Sequence, residues 1–520
     1  MQDTKKRILF SAKSFFYGTL LSRFGGLFRD MAMAALFGSG PKIASFMIAF
    51  RFAHLFRRLL GESTMNLGFI PHFESLRKED EKRSIGFFRD FFFSLSLILI
   101  LCIVVVQVLL TLFPGGEMAE AFRLTKLILP ALFFVCLYGL SGSFLQCYRY
   151  FFIPAFAPVL FNAIWIVSLF FINDFASLCI VIVFGMLVQW LLPFYQTQRI
   201  VFKHISLKEW FQPKIFSPEV KRLFKSIGFA MIGISAIQIN TASDAFFAHF
   251  ADKSGPAYLW YAMRLQQVPI ALFGIALAGA VLPPLVRAVK DNDTTRFRLF
   301  FSDAVKKSWA LMFSSLVGIL AISDVVINLL YGRGAFTHDA LIHTSYCLHG
   351  YAFALPLVSL ILIFSNSFYA IKDYKIPTIA AIISVLANFL FNSLFVFVFH
   401  WKAYSIAIAT SLSALVQAAI LYAALARKAK SMLFSKEELI SFLKVFISAT
   451  LAGIAAYGLK SLYFSTLPTH FVGQIRDFSI LVTSFLAVLF FMAKLLKAED
   501  LLDIIDISIG KRRPQKQNIS

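Results

Sequence analysis

Apolar segments about twenty residues long recur along the whole 520-residue chain. A run of roughly 18 or more apolar residues crosses a hydrocarbon core of about 30 Å as a helix, whereas barrel strands alternate and need only about ten residues. We therefore predict an all-α integral membrane fold with about fourteen transmembrane helices. The predicted spans are 8–37, 42–60, 91–113, 124–147, 155–172, 177–198, 226–250, 256–286, 305–331, 341–370, 377–399, 403–426, 439–463 and 471–497.

The composition excludes a soluble enzyme. The chain is 59% hydrophobic and 15% charged, whereas soluble domains are about half apolar and about a quarter charged. The sequence contains no phosphate-cradling G-x-x-x-x-G-K-[ST] loop, no H-E-x-x-H and no G-x-S-x-G motif. We expect no enzymatic activity, no metal and no cofactor, and we expect any transport energy to come from an ion gradient or the membrane potential.

The net charge of +22 is explained by membrane topology. When the N-terminus is placed in the cytoplasm, most of the 50 Lys and Arg residues fall in segments on the cytoplasmic side. This distribution satisfies the positive-inside rule and predicts that both termini are cytoplasmic. The charge therefore indicates orientation and contact with anionic membrane lipids, and it does not indicate a nucleic-acid partner.

Two pairs of similar segments indicate an internal repeat. The sequence around Arg51 aligns with that around Arg264 at a shift of 213, and SFLQCYRYFFIPAFAP aligns with SFYAIKDYKIPTIA farther along. Parallel repeats of this kind build transporters with a central site. We predict two six-helix lobes related by a pseudo-twofold axis, followed by two extra helices that serve either as a lipid-facing scaffold or as a docking surface for an acyl chain. The predicted segments are 1–225, 226–430, 431–500 and a basic cytoplasmic tail, 501–520.

Arginines inside the predicted spans are the main candidates for a binding site. An ionisable group in a span costs roughly 2.5–3.5 kcal/mol, so each faces a cavity or a partner. Guanidinium groups bind phosphate oxygens bidentately, so several arginines in one cavity predict a site for a polyanion. The alternative is that they snorkel to the interface or form static ion pairs. The candidates are Arg23, Arg29, Arg57 and Arg264.

Supporting residues surround these arginines in the first two spans. Gly25 and Gly26 leave one side of the first helix without bulk and provide a hinge. Glu62 is the i, i+4 partner of Arg58 on a helix. The predicted supporting or gating residues are Ser22, Gly25, Gly26, Asp30 and Glu62.

A second candidate site is centred on a carboxylate in the seventh span. Asp244, with Asn388 and Asn392 on the eleventh span, offers oxygen ligands suited to a monovalent cation such as Na⁺. Alternatively, Asp244 takes up a proton or forms a static pair with Arg264.

Several motifs occur in order over roughly residues 8–410 and resemble those of the MurJ/MviN family of lipid II flippases. They include Ser22-Arg23, Arg29-Asp30, Arg57-Arg58, Gly61-Glu62, IPAFAP from Ile153, Tyr261-Ala262, Arg264-Leu265, Gly334-Ala335-Phe336, Phe368-Tyr369-Ala370 and Lys372-Asp373. The chain departs from the family pattern at Ala44, at Phe52-Ala53-His54 and at Met263, where the first and last positions usually carry acids.

The resemblance implies a fold of the multidrug/oligosaccharidyl-lipid/polysaccharide exporter (MOP) superfamily. It implies flipping of lipid II, the undecaprenyl-diphosphate-linked peptidoglycan precursor, from the inner to the outer leaflet of the bacterial cytoplasmic membrane by alternating access. It places the family's cavity arginines on Arg23, Arg29, Arg57 and Arg264, and a groove for the lipid tail on the last two helices. It also implies a role in cell-wall biogenesis and cell shape, beside cell-wall synthesis enzymes. Two rivals stay open: an exporter of another lipid-linked oligosaccharide or drug, and a non-transporting scaffold for those enzymes.

Overall fold

The computed structural model describes residues 5–56, 68–113, 115–429, 434–463 and 467–508. All regular structure in these ranges is helical and none of it is strand, which confirms the predicted all-α fold class. The α-helices are α1 Lys5–Phe37, α2 Pro41–Phe56, α3 Ile70–Glu79, α4 Glu81–Leu112, α5 Ala119–Ile128, α6 Ala131–Cys147, α7 Phe152–Ser168, α8 Phe175–Val201, α9 Leu207–Trp210, α10 Pro218–Ala251, α11 Gly255–Pro269, α12 Ala276–Lys290, α13 Thr294–Tyr331, α14 His338–Ala352, α15 Ala354–Ala370, α16 Lys375–Ser393, α17 Tyr404–Ala429, α18 Lys436–Tyr463, α19 Phe471–Leu495 and α20 Glu499–Ser508.

Three shorter elements complete the helical structure. A 3₁₀ turn, Gly116–Met118, precedes α5, and π-helical segments occupy Ile270–Ile275 and Leu394–Val398. The first π segment joins α11 to α12 into one continuous apolar span, Gly255–Lys290. π-helical turns are typical of positions where a helix adapts its register.

Helix length and hydropathy support a multi-pass membrane protein. In the ranges that the structure describes, nine helices are long and apolar enough to span a membrane, and a tenth is obtained if the pair Gly116–Ile128 and Ala131–Cys147, bent by 46°, is one span. The apolar helix α7 has only 17 residues. Each predicted span overlaps a helix or two consecutive helices. The count of fourteen membrane crossings stays a prediction.

The chain forms two compact units, Met1–Phe246 and Phe247–Ser520. The division falls within α10, twenty-one residues beyond the lobe boundary predicted at 225/226. The predicted lobes, the separate segment 431–500 and the basic tail 501–520 stay predictions.

Phenylalanine dominates the core of the first unit where α3, α4 and α6 meet. The rings of Phe69 and Phe73 stack with their centroids 5.4 Å apart, and Phe88 lies 4.3 Å from Phe144. Asp80 ends α3 and caps α4 by accepting a hydrogen bond of 2.8 Å from the backbone N–H of Lys82. A side-chain oxygen at this position satisfies a donor that the helix start leaves unpaired. In the same unit α1 packs on α7, α7 on α8, and α8 on α6.

The long helix α13 is the centre of the second unit. It packs against α12, α14, α15, α18 and α19, and its buried side chains include Met312 and Leu316. At Ile322 the backbone leaves the helical region, with φ −131° and ψ 17°, so α13 contains a kink. Next to this kink, the hydroxyl of Ser323 lies 2.6 Å from Ser345 Oγ and 2.7 Å from His349 Nε2, so polar side chains accompany the break.

Small side chains allow α18 to approach α13 closely. The buried face of α18 includes Ala449, Ala452, Gly453 and Ala456. A Cβ atom placed on Gly453 would lie 2.4 Å from Cγ1 of Val317, which is far inside van der Waals contact. Small residues at such an interface let two helix backbones pack tightly in a membrane, where van der Waals contact is a principal source of association energy.

Polar contacts also connect α18, and the segment between α18 and α19, to α13. Lys460 Nζ on α18 lies 3.0 Å from both carboxylate oxygens of Asp324 on α13. The side-chain amide of Asn328 donates to the Pro468 carbonyl oxygen over 3.0 Å. The two helices predicted as an extra pair are therefore held to the second unit by packing and by polar bonds.

We predict that Gly453→Ala lowers the thermal stability of the purified protein. Val317 is β-branched and cannot rotate away cheaply, so the added methyl group overpacks the interface at a cost of about 1–3 kcal/mol. The matched control is Gly458→Ala on the same helix, where an added Cβ meets no atom within 4 Å. Thermal unfolding in detergent measures both variants, and equal melting temperatures for the two would contradict the close-packed interface.

Candidate functional site

Arg29 lies in a buried polar cluster between α1 and α7. Its side chain forms a salt bridge to Asp30, with Nη2 2.8 Å and Nε 3.1 Å from the same oxygen, Oδ1. Its Nη1 donates to Oδ1 of Asn162 over 3.2 Å. Arg29 and Asp30 are only 6% and 3% exposed. A guanidinium with a carboxylate and an amide as acceptors is a well-satisfied buried cation.

Aromatic rings enclose the Arg29 guanidinium. Its central carbon lies 4.5 Å from the ring centroid of Trp165 on α7 and 5.9 Å from that of Phe50 on α2. The two rings themselves meet edge to face at 5.1 Å. Cation–π attraction strengthens when the cation is removed from water, so these rings add to the stabilisation that Asp30 provides.

Gly25 brings α1 close enough to α7 for these bonds to form. A Cβ atom at Gly25 would lie 3.3 Å from Cβ of Asn162, whereas one at Gly26 meets nothing within 4 Å. The Asn162 amide also donates to the Ser22 carbonyl oxygen over 3.2 Å. Asn162 therefore contacts α1 at two points, Ser22 and Arg29, which are seven residues apart on the helix. The helix α1 runs without a break through both glycines.

The structure brings together only part of the predicted arginine set. In the first unit, Ser22, Gly25 and Arg29 meet Asn162, and Asp30 pairs with Arg29. Arg23 is exposed on α1. Arg57 and Glu62 lie outside the described residues.

Arg264 belongs to the second unit and is half-buried on α11. Its guanidinium carbon lies 4.5 Å from the ring centroid of Trp260, one helical turn earlier. Trp260 itself is buried, and so is the neighbouring Tyr261, which packs against Tyr331 at 4.8 Å. The stacked tryptophan orients the arginine side chain, since the flat guanidinium favours one face of the ring.

The candidate cation ligands occupy buried positions in both units. Asp244 is 2% exposed on α10, in the first unit. In the second unit the Asn392 amide donates to Oδ1 of Asn388 over 2.8 Å, and the Asn388 amide lies 3.5 Å from the Thr410 hydroxyl oxygen. These amide and hydroxyl oxygens have the chemistry of hard-cation ligands. Among the described residues no group of three or more His, Cys, Asp or Glu is placed to hold a metal ion.

Two features of the site were not predicted from the sequence. One is the contact of Asn162, Trp165 and Phe50 with Arg29, because these three residues lie on other helices and no local pattern links them to Arg29. The other is the pairing of Asp324 with Lys460, because the two residues are 136 positions apart and no local pattern links them.

Solved structures show which fold the chain shares with known proteins. A structure described as "Lipid II flippase MurJ, inward closed conformation" has a TM-score of 0.73 at 24% identity, covering 93% of this chain and 99% of its own. An inward-facing multidrug resistance MATE family transporter of the MOP superfamily has a TM-score of 0.63 at 16% identity, covering 78% of this chain and 95% of its own. The chain therefore shares the fold of these two structures.

Sequence comparison gives the family. Residues 33–475 match the family model described as "Lipid II flippase MurJ". A probable lipid II flippase MurJ of Aquifex aeolicus is 32% identical over 437 residues, which is 81% of this chain and 84% of the relative. The relative from Chlamydia trachomatis with the same description is 29% identical, and the alignment covers 98% of this chain and 98% of the relative. The chain belongs to the lipid II flippase MurJ family, which confirms the resemblance found in its motifs.

We predict that Asp30→Asn destabilises the protein substantially. The change removes the anion that compensates a buried arginine, and breaking such a pair costs about 3–5 kcal/mol. The control is Asp303→Asn, whose salt bridge to Lys307 is half-exposed and is worth about 0.2–1 kcal/mol. Thermal unfolding in detergent measures both.

A double variant separates a lost ion pair from general damage at this position. Arg29→Met combined with Asp30→Asn removes the unpaired cation as well, so it is expected to be more stable than Asp30→Asn alone. A double variant that is less stable than the single one would show that the cost does not come from an uncompensated Arg29 charge.

Proposed function

We propose that this protein flips lipid II from the inner to the outer leaflet of the bacterial cytoplasmic membrane, for peptidoglycan synthesis. The observation that carries the proposal is the match of residues 33–475 to the family of lipid II flippases, together with apolar spans throughout the chain. We place both termini in the cytoplasm, since this orientation satisfies the positive-inside rule. Any association with cell-wall synthesis enzymes stays a prediction.

In the proposed mechanism, arginines bind the diphosphate of the substrate. Arg23 is exposed and Arg264 is half-buried, so part of each side chain lies at the protein surface. Arg57 is the fourth member of the set by its position in the sequence. Phosphate oxygens accept bidentate hydrogen bonds from guanidinium groups, and a diphosphate has enough oxygens for several of them.

Arg29 has a different task in this mechanism. Its guanidinium is bonded to Asp30 and Asn162 and enclosed by Trp165, so it stabilises the packing of α1 on α7 in the observed conformation. We propose that Arg29 reaches the diphosphate only when α1 moves away from α7, with Gly25 and Gly26 as the hinge. Asp30 and the substrate phosphate then compete for the same cation, which couples substrate binding to the position of α1.

The last two long helices provide an apolar surface for the polyprenyl tail. Both are fixed to α13 on one side and expose large apolar side chains on the other. On α18 these include Leu443, Leu451 and Ile454, and on α19 Val472, Leu486 and Phe491. A polyprenyl chain is compatible with this surface because it stays in a hydrocarbon environment while the head group crosses.

The two rival functions are less compatible with the charges on the spans. An exporter of organic cations needs net acidic groups in its cavity, whereas this chain has arginines and lacks two acids that are usual in the family. A non-transporting scaffold does not need buried arginines, which are costly in a membrane. Another lipid-linked oligosaccharide shares the diphosphate chemistry and is separated from lipid II by the assay below.

We predict that Arg29→Ala, Arg57→Ala and Arg264→Ala each abolish complementation in bacteria depleted of their own lipid II flippase. The measurement is growth, together with the amount of lipid-linked peptidoglycan precursor in the inner leaflet, which is expected to rise. The control is Arg296→Ala, since Arg296 pairs with Asp293 on the surface and its side chain is 68% exposed.

Membrane abundance of each variant distinguishes a lost substrate site from a lost protein. Normal abundance with precursor accumulation supports transport of lipid II. Growth of all three variants at normal abundance would eliminate the arginine site, and failure of the unmodified protein to support growth would contradict the proposed transport. Growth failure without precursor accumulation would favour a scaffold.

We further propose that a monovalent cation or a proton binds at Asp244. Its carboxylate is buried, and a buried carboxylate needs a cation, a proton or a permanent partner. We predict that Asp244→Asn makes lipid II flipping in proteoliposomes insensitive to imposed Na⁺ and pH gradients, with Asp252→Asn as the control. Unchanged gradient dependence in Asp244→Asn would exclude Asp244 as the coupling group.

A further inference from the structure

The segment that joins α8 to α10, residues 202–217, carries a surface that the transport mechanism does not use. We call it the interfacial loop. Leu207 and Phe211 are 61% and 67% exposed, and the further exposed apolar side chains of this loop are Phe202, Ile215 and Phe216. Five large apolar groups exposed on sixteen residues outside a membrane span need a partner, because such patches on soluble surfaces are rare.

The interfacial loop is firmly attached to α4. Trp210 is buried with its ring centroid 5.4 Å from that of Phe92 and 5.5 Å from that of Phe93. The Asp90 carboxylate accepts from the backbone N–H of Lys214 over 2.9 Å, and Arg89 donates to the Glu209 carbonyl oxygen over 2.8 Å. The exposed apolar side chains are therefore presented by a fixed backbone.

The start of the interfacial loop continues the exposed stripe of α8. Phe184, Leu191 and Tyr195 are exposed on α8, and the exposed Phe202 follows them. The intervals between these four consecutive residues are seven, four and seven positions. Positions with this spacing share one face of a helix. Since the α8 stripe belongs to a membrane-spanning helix, the apolar face of the loop begins where the lipid-facing surface ends.

The charges of the interfacial loop are complementary to an anionic surface. Lys203, Lys208 and Lys214 are all exposed. The only acid in the loop is Glu209, whose carboxylate accepts from the backbone N–H of Ser206 over 2.7 Å in a capping box. Aromatic side chains alternating with lysines at the end of a membrane span are typical of the headgroup region.

We propose that the interfacial loop is a docking surface for anionic phospholipids, with its apolar side chains inserted at the headgroup boundary and its three lysines bound to lipid phosphates. The proposed orientation of the chain places this surface in the inner leaflet, and only that assignment rests on the proposed function. The lysines raise the local concentration of anionic lipid. Because the interfacial loop is attached to α4, its contact with the membrane surface also fixes the position of the first unit relative to that surface.

Photo-crosslinking of the full-length protein tests the proposal. Phe211 is replaced by p-benzoylphenylalanine, and the protein is reconstituted in phosphatidylcholine vesicles with a minor share of phosphatidylglycerol. Mass spectrometry then measures which lipid is attached. We expect lipid adducts in which phosphatidylglycerol exceeds its share of the vesicle by about fivefold, which is the attraction expected from one lysine near an anionic surface.

Two controls define the result. The same replacement at Phe184, in the middle of the α8 stripe, is expected to give lipid adducts at the vesicle ratio. Substituting glutamine at Lys203, Lys208 and Lys214 is expected to reduce the enrichment at position 211 to that ratio, whereas the same change at Lys253, Lys290 and Lys402, exposed lysines elsewhere, is expected to preserve it.

Several outcomes would overturn the proposal: absence of lipid adducts at position 211, a covalent dimer of the chain, phosphatidylglycerol at its vesicle share, or equal loss in both lysine variants. Replacement of Leu207 provides a second position if the first variant does not fold. The vesicles contain no lipid II and the assay measures no transport, so failure here leaves the flippase proposal unaffected.

Discussion

The cost of an uncompensated charge in a hydrocarbon environment governs how this structure is arranged. The Arg29 guanidinium is buried beside α7, and four different groups contribute to its stabilisation: the Asp30 carboxylate, the Asn162 amide and the rings of Trp165 and Phe50. Asp30 is adjacent to Arg29 in the sequence, whereas Asn162, Trp165 and Phe50 are distant from it. The contact of α1, α2 and α7 therefore depends on one cation, and a rearrangement of α1 has to provide that cation with another anion.

The second unit applies the same principle with different residues. Lys460 on α18 is neutralised by Asp324 on α13, next to a kink whose neighbouring polar side chains are bonded to one another. Polar groups at a helix break satisfy one another locally, so the kink does not leave them facing lipid. In the first unit the ion pair lies within α1 and the Asn162 amide connects it to α7, whereas in the second unit the Asp324–Lys460 pair itself joins two helices.

The sequence was sufficient for the fold class because the physical signal is simple. Long apolar runs are compatible only with helices in a membrane, and every predicted span coincides with helical structure in the described ranges. The motifs around Arg29 and Arg264 were sufficient for the family. The partners of Arg29 on other helices could not be predicted, since Asn162 and Trp165 meet it only after α7 packs on α1, and nothing local to residues 22–30 specifies that packing. The Asp324–Lys460 pair was missed for the same reason.

Some contacts in the structure follow from sequence spacing alone. Asn388 and Asn392 lie four residues apart on one helix and are bonded at 2.8 Å, as that spacing implies. Ser206 and Glu209 form the capping box that their spacing allows. Sequence reasoning is thus reliable for contacts within one helical turn. It becomes uncertain for contacts between two helices that are distant in the sequence.

The attachment of α18 and α19 to α13 has a mechanical consequence. The Gly453 contact, the Lys460 ion pair and the Asn328 hydrogen bond lie in the C-terminal half of α13, and buried apolar side chains of α18 and α19 pack on the same helix, so the three helices form one body. Any displacement of α13 carries the pair with it. A hydrocarbon chain lying along α18 and α19 would therefore move together with the second unit. It would not have to detach and rebind while the polar end of the same molecule changes sides.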